Sequence, residues 1–143
     1  MMTILDSNVL SESTKPAPAP PVIRWLAARD PVTTYTTAIT QAEMLWGLER
    51  LRPGKRRTDL TRSVEKILGE FSGGRILPFD EDAAAAYAKI TWARTAVGRP
   101  ISQLDAMIAA ITRSRGAVLA TRDADGFDYC GIRVVNPWGA PAG

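Results

Sequence analysis

Residues 3–8 read TILDSN, a short apolar run that stops where three polar side chains come together. An apolar run of this length, bounded by polar residues, is typical of a buried strand. Asp6, Ser7 and Asn8 then stand at the carboxyl end of that strand. In open parallel sheets, ligands bind at the edge formed by the carboxyl ends of the strands. The stretch therefore predicts a strand and, directly after it, a position suited to a functional site.

Further short apolar runs alternate with helical patterns along the rest of the chain. The runs that predict strands are residues 33–37, 76–79, 117–120 and 133–135, and Pro78 favours an edge position for the second of them. The spacing of apolar residues predicts helices over residues 40–51, 59–71, 81–97 and 102–115, the last ended by Gly116. Residues 16–21 contain four prolines and predict an extended spacer, followed by a short helix that stops near residue 30.

Short apolar strands separated by helices define the fold class. They predict an α/β domain with a mainly parallel central sheet and helices on both faces. A chain of 143 residues is of ordinary size for one domain, so we expect a single domain over residues 1–143. Neither a transmembrane run nor the pattern of a secretory signal is found, so we expect a cytoplasmic protein without a membrane partner.

Composition excludes several kinds of enzyme. The chain contains no histidine, and Ser-His-Asp hydrolysis, Cys-His hydrolysis, paired-histidine RNA cleavage and histidine-ligated zinc all need an imidazole. The single cysteine, Cys130, can form neither an internal disulfide nor a multi-cysteine zinc site. If the protein is an enzyme, carboxylates and a metal must carry the chemistry. A net charge of +3 makes nucleic acid a plausible partner but does not decide the matter.

Four acidic residues that are far apart in sequence are predicted to converge at one edge of the sheet. Asp6 and Asp123 each lie just beyond the end of a strand, and Glu43 and Asp105 lie in the first turns of helices that begin at that edge. Clustered carboxylates are unfavourable unless a cation lies among them, and Mg²⁺ or Mn²⁺ prefers oxygen ligands. Such an ion can activate water and neutralise charge on a phosphodiester, while a free carboxylate accepts the water's proton.

Each acid also has a structural interpretation. Thr40 with Glu43, and Ser102 with Asp105, fit the capping-box pattern, in which the acid binds amides at the start of a helix. The other polar residues of the group suit turns or helix caps. These residues are Asp6, Asn8, Asp123 and Asp125. Taken one at a time, these residues favour the structural interpretation, and only their joint placement favours a metal site.

Four motifs built around these acids resemble a known family. The motifs are ILDSNVL at residues 4–10, TQAEMLWG at 40–47, LDAMIAA at 104–110 and LATRD at 119–123. In this order they resemble the acidic motifs of PIN domains, and among these the chain is most similar to toxins of the VapC and FitB type. The resemblance extends from about Thr3 to Pro137. It implies a Mg²⁺- or Mn²⁺-dependent endoribonuclease, with Asp6, Glu43, Asp105 and Asp123 as catalytic residues and metal ligands.

The same resemblance implies partners. It implies a homodimer and a cognate VapB- or FitA-like antitoxin, which wraps around the toxin, blocks the acidic pocket and binds operator DNA with its other end. One departure from the family pattern concerns the fourth acid, since many relatives have asparagine at the position of Asp123 and an acid near that of Asp125. We favour Asp123 and keep Asp125 as an accessory candidate. Ser7, Asn8 and Thr121 match polar positions beside the family's acids and are accessory candidates too.

Two other functions remain open at this point. A phosphotransfer enzyme of the haloacid-dehalogenase type would use Asp6 as phosphoryl acceptor, but it needs a lysine at the same sheet edge. A non-catalytic PIN-like module would act only with its antitoxin on operator DNA. The presence of all four acids argues against the second.

Basic and aromatic residues add two open interpretations. The densest basic stretch consists of Arg50, Arg52, Lys55, Arg56 and Arg57. It either binds an RNA backbone or forms a solvated corner between two helices. Trp25, Trp46 and Trp92 lie at helical apolar positions, which favours core or interface packing over base stacking. If partly exposed, they would suit a groove for an antitoxin helix.

Overall fold

The computed structural model describes residues 1–139, and its strands and helices alternate along the chain. In chain order the elements are β1 (Thr3–Leu5), α1 (Ser7–Glu12), α2 (Pro20–Ala27), β2 (Thr34–Thr37), α3 (Ala38–Glu49), α4 (Lys55–Gly69), β3 (Ile76–Leu77), α5 (Glu81–Ala96), α6 (Gln103–Ser114), β4 (Val118–Ala120) and β5 (Arg133–Val135). Two 3-10 turns lie at Pro31–Thr33 and Asp125–Phe127. Within these residues no helix is long and apolar enough to cross a membrane.

The strands form one parallel sheet in the order β3-β2-β1-β4-β5, which confirms the predicted fold class. β1 lies at the centre and pairs with β4 in the register Leu5↔Ala120. This register places Asp6, which follows β1, beside Thr121, which follows β4. Two of the predicted site segments therefore meet at the carboxyl edge because their strands are neighbours.

Helices cover both faces of the sheet, as predicted. Since successive strand residues point to opposite faces, Ile4 and Leu119 pack into a core shared with α5 and α6, which includes Ile108. Leu5 and Ala120 point the other way and pack with the side chains of α1 to α4. The sheet is thus buried between two helical layers, and its carboxyl edge is left to hold polar groups.

Several helix boundaries differ from the predictions, each for a local reason. The short helix α1 was not predicted; it starts directly after Asp6, whose side chain accepts a hydrogen bond from the Ser7 amide. Helix α2 begins at Pro20, inside the segment predicted to be extended, because proline is well tolerated in a helix's first turn. Helix α3 begins at Ala38 rather than residue 40, because Thr37 caps it by accepting from the Thr40 amide.

Other predictions were confirmed or corrected in detail. Helices α5 and α6 match the predicted spans closely, and Gly116 follows α6 with a positive φ of 61°. Strand β3 is confined to two residues at the sheet edge, since Pro78 has no N–H to donate. Trp25 is buried, but Trp46 and Trp92 are 62% and 72% exposed, so these two do not belong to the core.

Candidate acidic metal site

Asp6 is the central and most constrained acid of the predicted site. It is only 6% exposed, and its amide continues the sheet by donating to the Ala120 carbonyl at 3.0 Å. Its Oδ1 accepts from the Ser7 amide at 2.8 Å, and its Oδ2 accepts from the Thr121 hydroxyl at 2.8 Å. Burial raises the pKa of Asp6; these two hydrogen bonds oppose the rise, and the charges of Asp105 and Asp123 add to it.

Thr121 and Asn8 link the ends of β1 and β4. The Thr121 hydroxyl, which donates to Asp6, also accepts from Asn8 Nδ2 and from the Asp123 amide, both at 3.2 Å. Asn8 Oδ1 in turn accepts from the Arg122 amide at 3.2 Å. The polar positions singled out in the sequence therefore fix the Asp6 carboxylate and the start of the segment that carries Asp123.

Glu43 lies on α3 and its carboxylate is half-buried. It falls in the second turn of the helix rather than the first, because α3 begins at Ala38. Its Oε1 is buried and has no hydrogen-bond partner among residues 1–139. Burial, followed by the charges of Asp6 and Asp105, raises the pKa of Glu43 to about 7. The capping-box interpretation of Glu43 is therefore wrong, and a buried carboxylate oxygen is left free to bind a ligand.

Asp105 lies in the first turn of α6, as predicted. Ser102 caps this helix by accepting from the Asp105 amide at 3.3 Å. The Asp105 side chain is half-buried and makes no hydrogen bond within the described part of the chain. Its charge nevertheless raises the pKa of both Asp6 and Glu43. Asp105 therefore lies close enough to these two acids to share their electrostatic environment.

The geometry of the segment after β4 favours Asp123 over Asp125 as the fourth acid. The charge of Asp123 contributes to the raised pKa of Asp6, whereas Asp125 is not among the groups that shift Asp6 or Glu43. Both residues are exposed, but Asp125 begins the 3-10 turn, while Asp123 Oδ1 accepts from the Gly126 amide at 3.3 Å.

The sequence analysis did not identify two residues, Gly126 and Arg94, that hold the segment after β4 in place. A Cβ at Gly126 would lie 2.7 Å from Asp123 Cγ, so only glycine leaves room for the Asp123 carboxylate in its present position. Arg94 of α5 is 5% exposed, and its Nη1 donates to the Gly126 carbonyl at 2.7 Å and to the Asp128 carbonyl at 2.9 Å. The glycine of the DADG sequence was a possible signal, but nothing in the sequence indicated that Arg94 turns inward.

Replacing Gly126 with alanine is expected to displace the Asp123 carboxylate without unfolding the protein. The backbone at Gly126 is not left-handed, so the added methyl acts through its collision with Asp123 alone. A displacement of about 1 Å in a site of this kind can lower activity about a hundredfold. The measurement is the metal-dependent RNA cleavage that the resemblance to PIN domains implies, compared with Gly69→Ala, where an added Cβ meets nothing within 4 Å. Equal activity of the two variants would show that activity does not depend on the present position of the Asp123 carboxylate.

The donor set of these four acids fits a hard divalent cation. All potential ligands are carboxylate oxygens, which Mg²⁺ and Mn²⁺ prefer, and the unpartnered Oε1 of Glu43 is a group that a cation would satisfy. In the described residues no three acidic or cysteine side chains stand close enough together to hold one ion. The charges of Asp6 and Asp105 nevertheless act on Glu43, so these three acids share one electrostatic environment.

The fold and this arrangement define a class: a parallel α/β domain with an acidic site at the carboxyl edge of its sheet and no imidazole available to it. The chain belongs to the PIN-domain family, whose family model, described as PIN domain, matches residues 3–131. Membership of this family excludes the haloacid-dehalogenase alternative, in which Asp6 would be a phosphoryl acceptor.

Comparison with known proteins places the chain near toxins of this family. It is 39% identical to a protein of Sinorhizobium fredii named VapC ribonuclease Y4jK, over 96% of this chain and 98% of the relative. It is 38% identical to Toxin FitB of Neisseria gonorrhoeae, over 96% of this chain and 99% of that protein. A solved structure of FitAB bound to an IR36 DNA fragment contains a chain that is 40% identical, with a TM-score of 0.91 and 98% of both chains covered.

Proposed function

We propose that the protein is a metal-dependent endoribonuclease, a hydrolase that acts as the toxin of a type II toxin–antitoxin pair. The observation that carries the proposal is the half-buried Glu43, whose Oε1 has no partner among the described residues and whose pKa is raised by burial and then by the charges of Asp6 and Asp105. The names of the relatives, a VapC ribonuclease and the toxin FitB, support the same function.

All four acids belong to one metal site in this proposal. Asp6, Glu43, Asp105 and Asp123 would hold Mg²⁺, or alternatively Mn²⁺. When bound, such an ion lowers the pKa of water and neutralises charge on the phosphodiester. One of the four carboxylates would also assist water activation by accepting the proton of the attacking water. Thr121 keeps the Asp6 carboxylate in place through its 2.8 Å hydrogen bond.

The experiment that tests the proposal is cleavage of labelled single-stranded and structured RNAs by the purified protein. We expect cutting with Mg²⁺ or Mn²⁺ and none with EDTA. A protein that binds neither metal and cuts no RNA would instead be a non-catalytic module, acting only with its antitoxin on operator DNA.

We further propose that the partner is a VapB- or FitA-like antitoxin that binds operator DNA, and that the toxin is a cytoplasmic homodimer. A groove of about 760 Å³ would accommodate an antitoxin segment. Its apolar lining includes Trp46, Leu48, Leu51, Leu60 and Val64, and Glu43 and Leu104 also lie in its wall. Apolar anchors would fill the groove, and a cationic side chain would complement the Glu43 carboxylate.

Replacing Trp46 with alanine is expected to weaken antitoxin binding by at least about tenfold, since a large aromatic side chain is a typical interface hot spot. Trp46 is 62% exposed, and the Arg50 Cζ lies 4.3 Å from the centroid of its ring. Removing this side chain therefore leaves the core intact. Affinity for the cognate antitoxin is measured by calorimetry. Trp92→Ala is the matched control, because Trp92 is 72% exposed and does not line the groove. An equal loss in both variants would contradict the groove assignment.

A further inference from the structure

Tyr129 combines backbone strain with an exposed ring. It is the one non-glycine residue in the described range 1–139 with a positive φ, 64°, and it is 58% exposed. A positive φ raises the conformational energy of a bulky L-residue, because its Cβ approaches the backbone. Glycine has no Cβ and therefore adopts this conformation without such a penalty. A ring that is more than half exposed does not compensate for this strain by burial. Strain of this kind is frequent at functional sites.

The Tyr129 ring is paired with a guanidinium that the surrounding loop holds in place. The Arg99 Cζ lies 5.6 Å from the ring centroid. Arg99 Nη1 forms a salt bridge with Asp128 Oδ2 at 3.6 Å, and its Nη2 donates to the Asp125 carbonyl at 3.5 Å. The backbone beneath is fixed by the buried Arg94, which donates to the Gly126 and Asp128 carbonyls. Ring and guanidinium are thus positioned before any ligand arrives.

Tyr129 lies on the same β4–β5 connection as the fourth acid, and Arg99 reaches its ring from the α5–α6 connection. Asp123 accepts from the Gly126 amide, and Tyr129 follows Gly126 by three residues. Three consecutive Cα–Cα steps of about 3.8 Å place the Tyr129 Cα within about 11 Å of the Gly126 Cα. A nucleic-acid strand whose phosphate lies at Asp123 needs only a few nucleotides to reach Tyr129.

We propose that Tyr129 and Arg99 form a stacking subsite for one unpaired base of the RNA strand that enters the acidic site. This inference rests on the proposed ribonuclease function. Unstacked bases of single-stranded RNA stack on aromatic rings and on guanidinium planes, so the Tyr129 ring and the Arg99 guanidinium both offer a surface for stacking. A base inside a duplex has both faces covered by its neighbours. The subsite therefore selects single-stranded or loop segments.

The test compares Tyr129→Gly with Tyr129→Phe in binding to a fluorescein-labelled single-stranded RNA of about ten nucleotides. Anisotropy is measured in EDTA, so that binding is separated from cleavage. Loss of one stacked base weakens binding by on the order of tenfold or more, and we expect this for Tyr129→Gly, while Tyr129→Phe keeps the wild-type Kd. Glycine also removes the left-handed strain, so the Tm of Tyr129→Gly is expected to be no lower than that of the wild type.

Controls separate this subsite from general effects. Trp92→Ala, which removes an exposed ring elsewhere, is expected to leave the Kd unchanged, and a duplex RNA of the same length should bind wild type and Tyr129→Gly equally. Equal affinity of wild type and Tyr129→Gly for the single strand would overturn the subsite, even if the protein cleaves RNA. A protein that binds the strand through Tyr129 but cuts nothing with either metal would retain the subsite and lose the ribonuclease assignment.

Discussion

Asp105→Asn is expected to abolish metal-dependent RNA cleavage and to leave the fold intact. The Asp105 side chain makes no hydrogen bond within residues 1–139, and its contribution to the fold is a backbone amide that donates to Ser102, which asparagine retains. Its charge acts on Asp6 and Glu43, so the variant removes a metal ligand and one negative charge from the site. Losing several kcal/mol of transition-state stabilisation corresponds to roughly a thousandfold slower cleavage.

Asp125→Asn is the matched control for this prediction. The two substitutions make the same chemical change, but Asp125 is exposed and shifts neither Asp6 nor Glu43. We expect it to keep most of the activity, and both variants to have Tm values close to wild type. Asp6→Asn should also be inactive, but it alters the hydrogen bonds to Ser7 and Thr121, so its effect is less specific. Wild-type cleavage by Asp105→Asn would refute the site assignment, and an inactive Asp125→Asn would make Asp125 the fourth acid.

The sequence was sufficient to predict the layout of the sheet edge. Apolar runs that end in polar residues marked the ends of β1 and β4, and the parallel topology then placed Asp6 beside the segment of Asp123. The register Leu5↔Ala120 confirms that the two ends are neighbours. The prediction succeeded because a short continuous apolar run indicates a strand that is buried on both faces, and such strands are typical of a parallel sheet.

The environment of each side chain could not be predicted in the same way. Several threonines precede α3, each able to cap a helix, and only the structure shows that Thr37 does so and that Glu43 consequently lies in the second turn. Arg94 turns inward to bind two carbonyls of a loop more than 30 residues away, which no local pattern reports. Trp46 and Trp92 lie at helical apolar spacing but remain mostly exposed within residues 1–139.

Glu43→Gln is expected to stabilise the metal-free protein at pH 8 and to have almost no effect on stability near pH 4. The pKa of Glu43 is about 7 in the folded state, against 4.5 in the unfolded chain. Below about pH 4.5 both states hold the proton, and the carboxyl group costs the fold nothing. Between about pH 4.5 and 7 the unfolded chain ionises while the folded state keeps the proton, so stability is lost over this window and the penalty levels off once the pH has risen through 7. Allowing for solvent screening of its exposed part, the penalty at pH 8 is about 1–2 kcal/mol.

The measurement is urea unfolding in EDTA of wild type, Glu43→Gln and Glu49→Gln at pH 4 and pH 8. Glu49 lies on the same helix but is exposed and paired with Arg57 at 3.2 Å, so its variant should show no such pH-dependent gain. The same stabilisation of Glu43→Gln at both pH values would contradict an origin in ionisation. Adding Mg²⁺ or Mn²⁺ at pH 8 should stabilise the wild type more than Glu43→Gln, because a bound cation offsets the charge that glutamine lacks. Glu43→Gln should therefore combine higher metal-free stability with loss of RNA cleavage, a pairing expected of a carboxylate retained for its function.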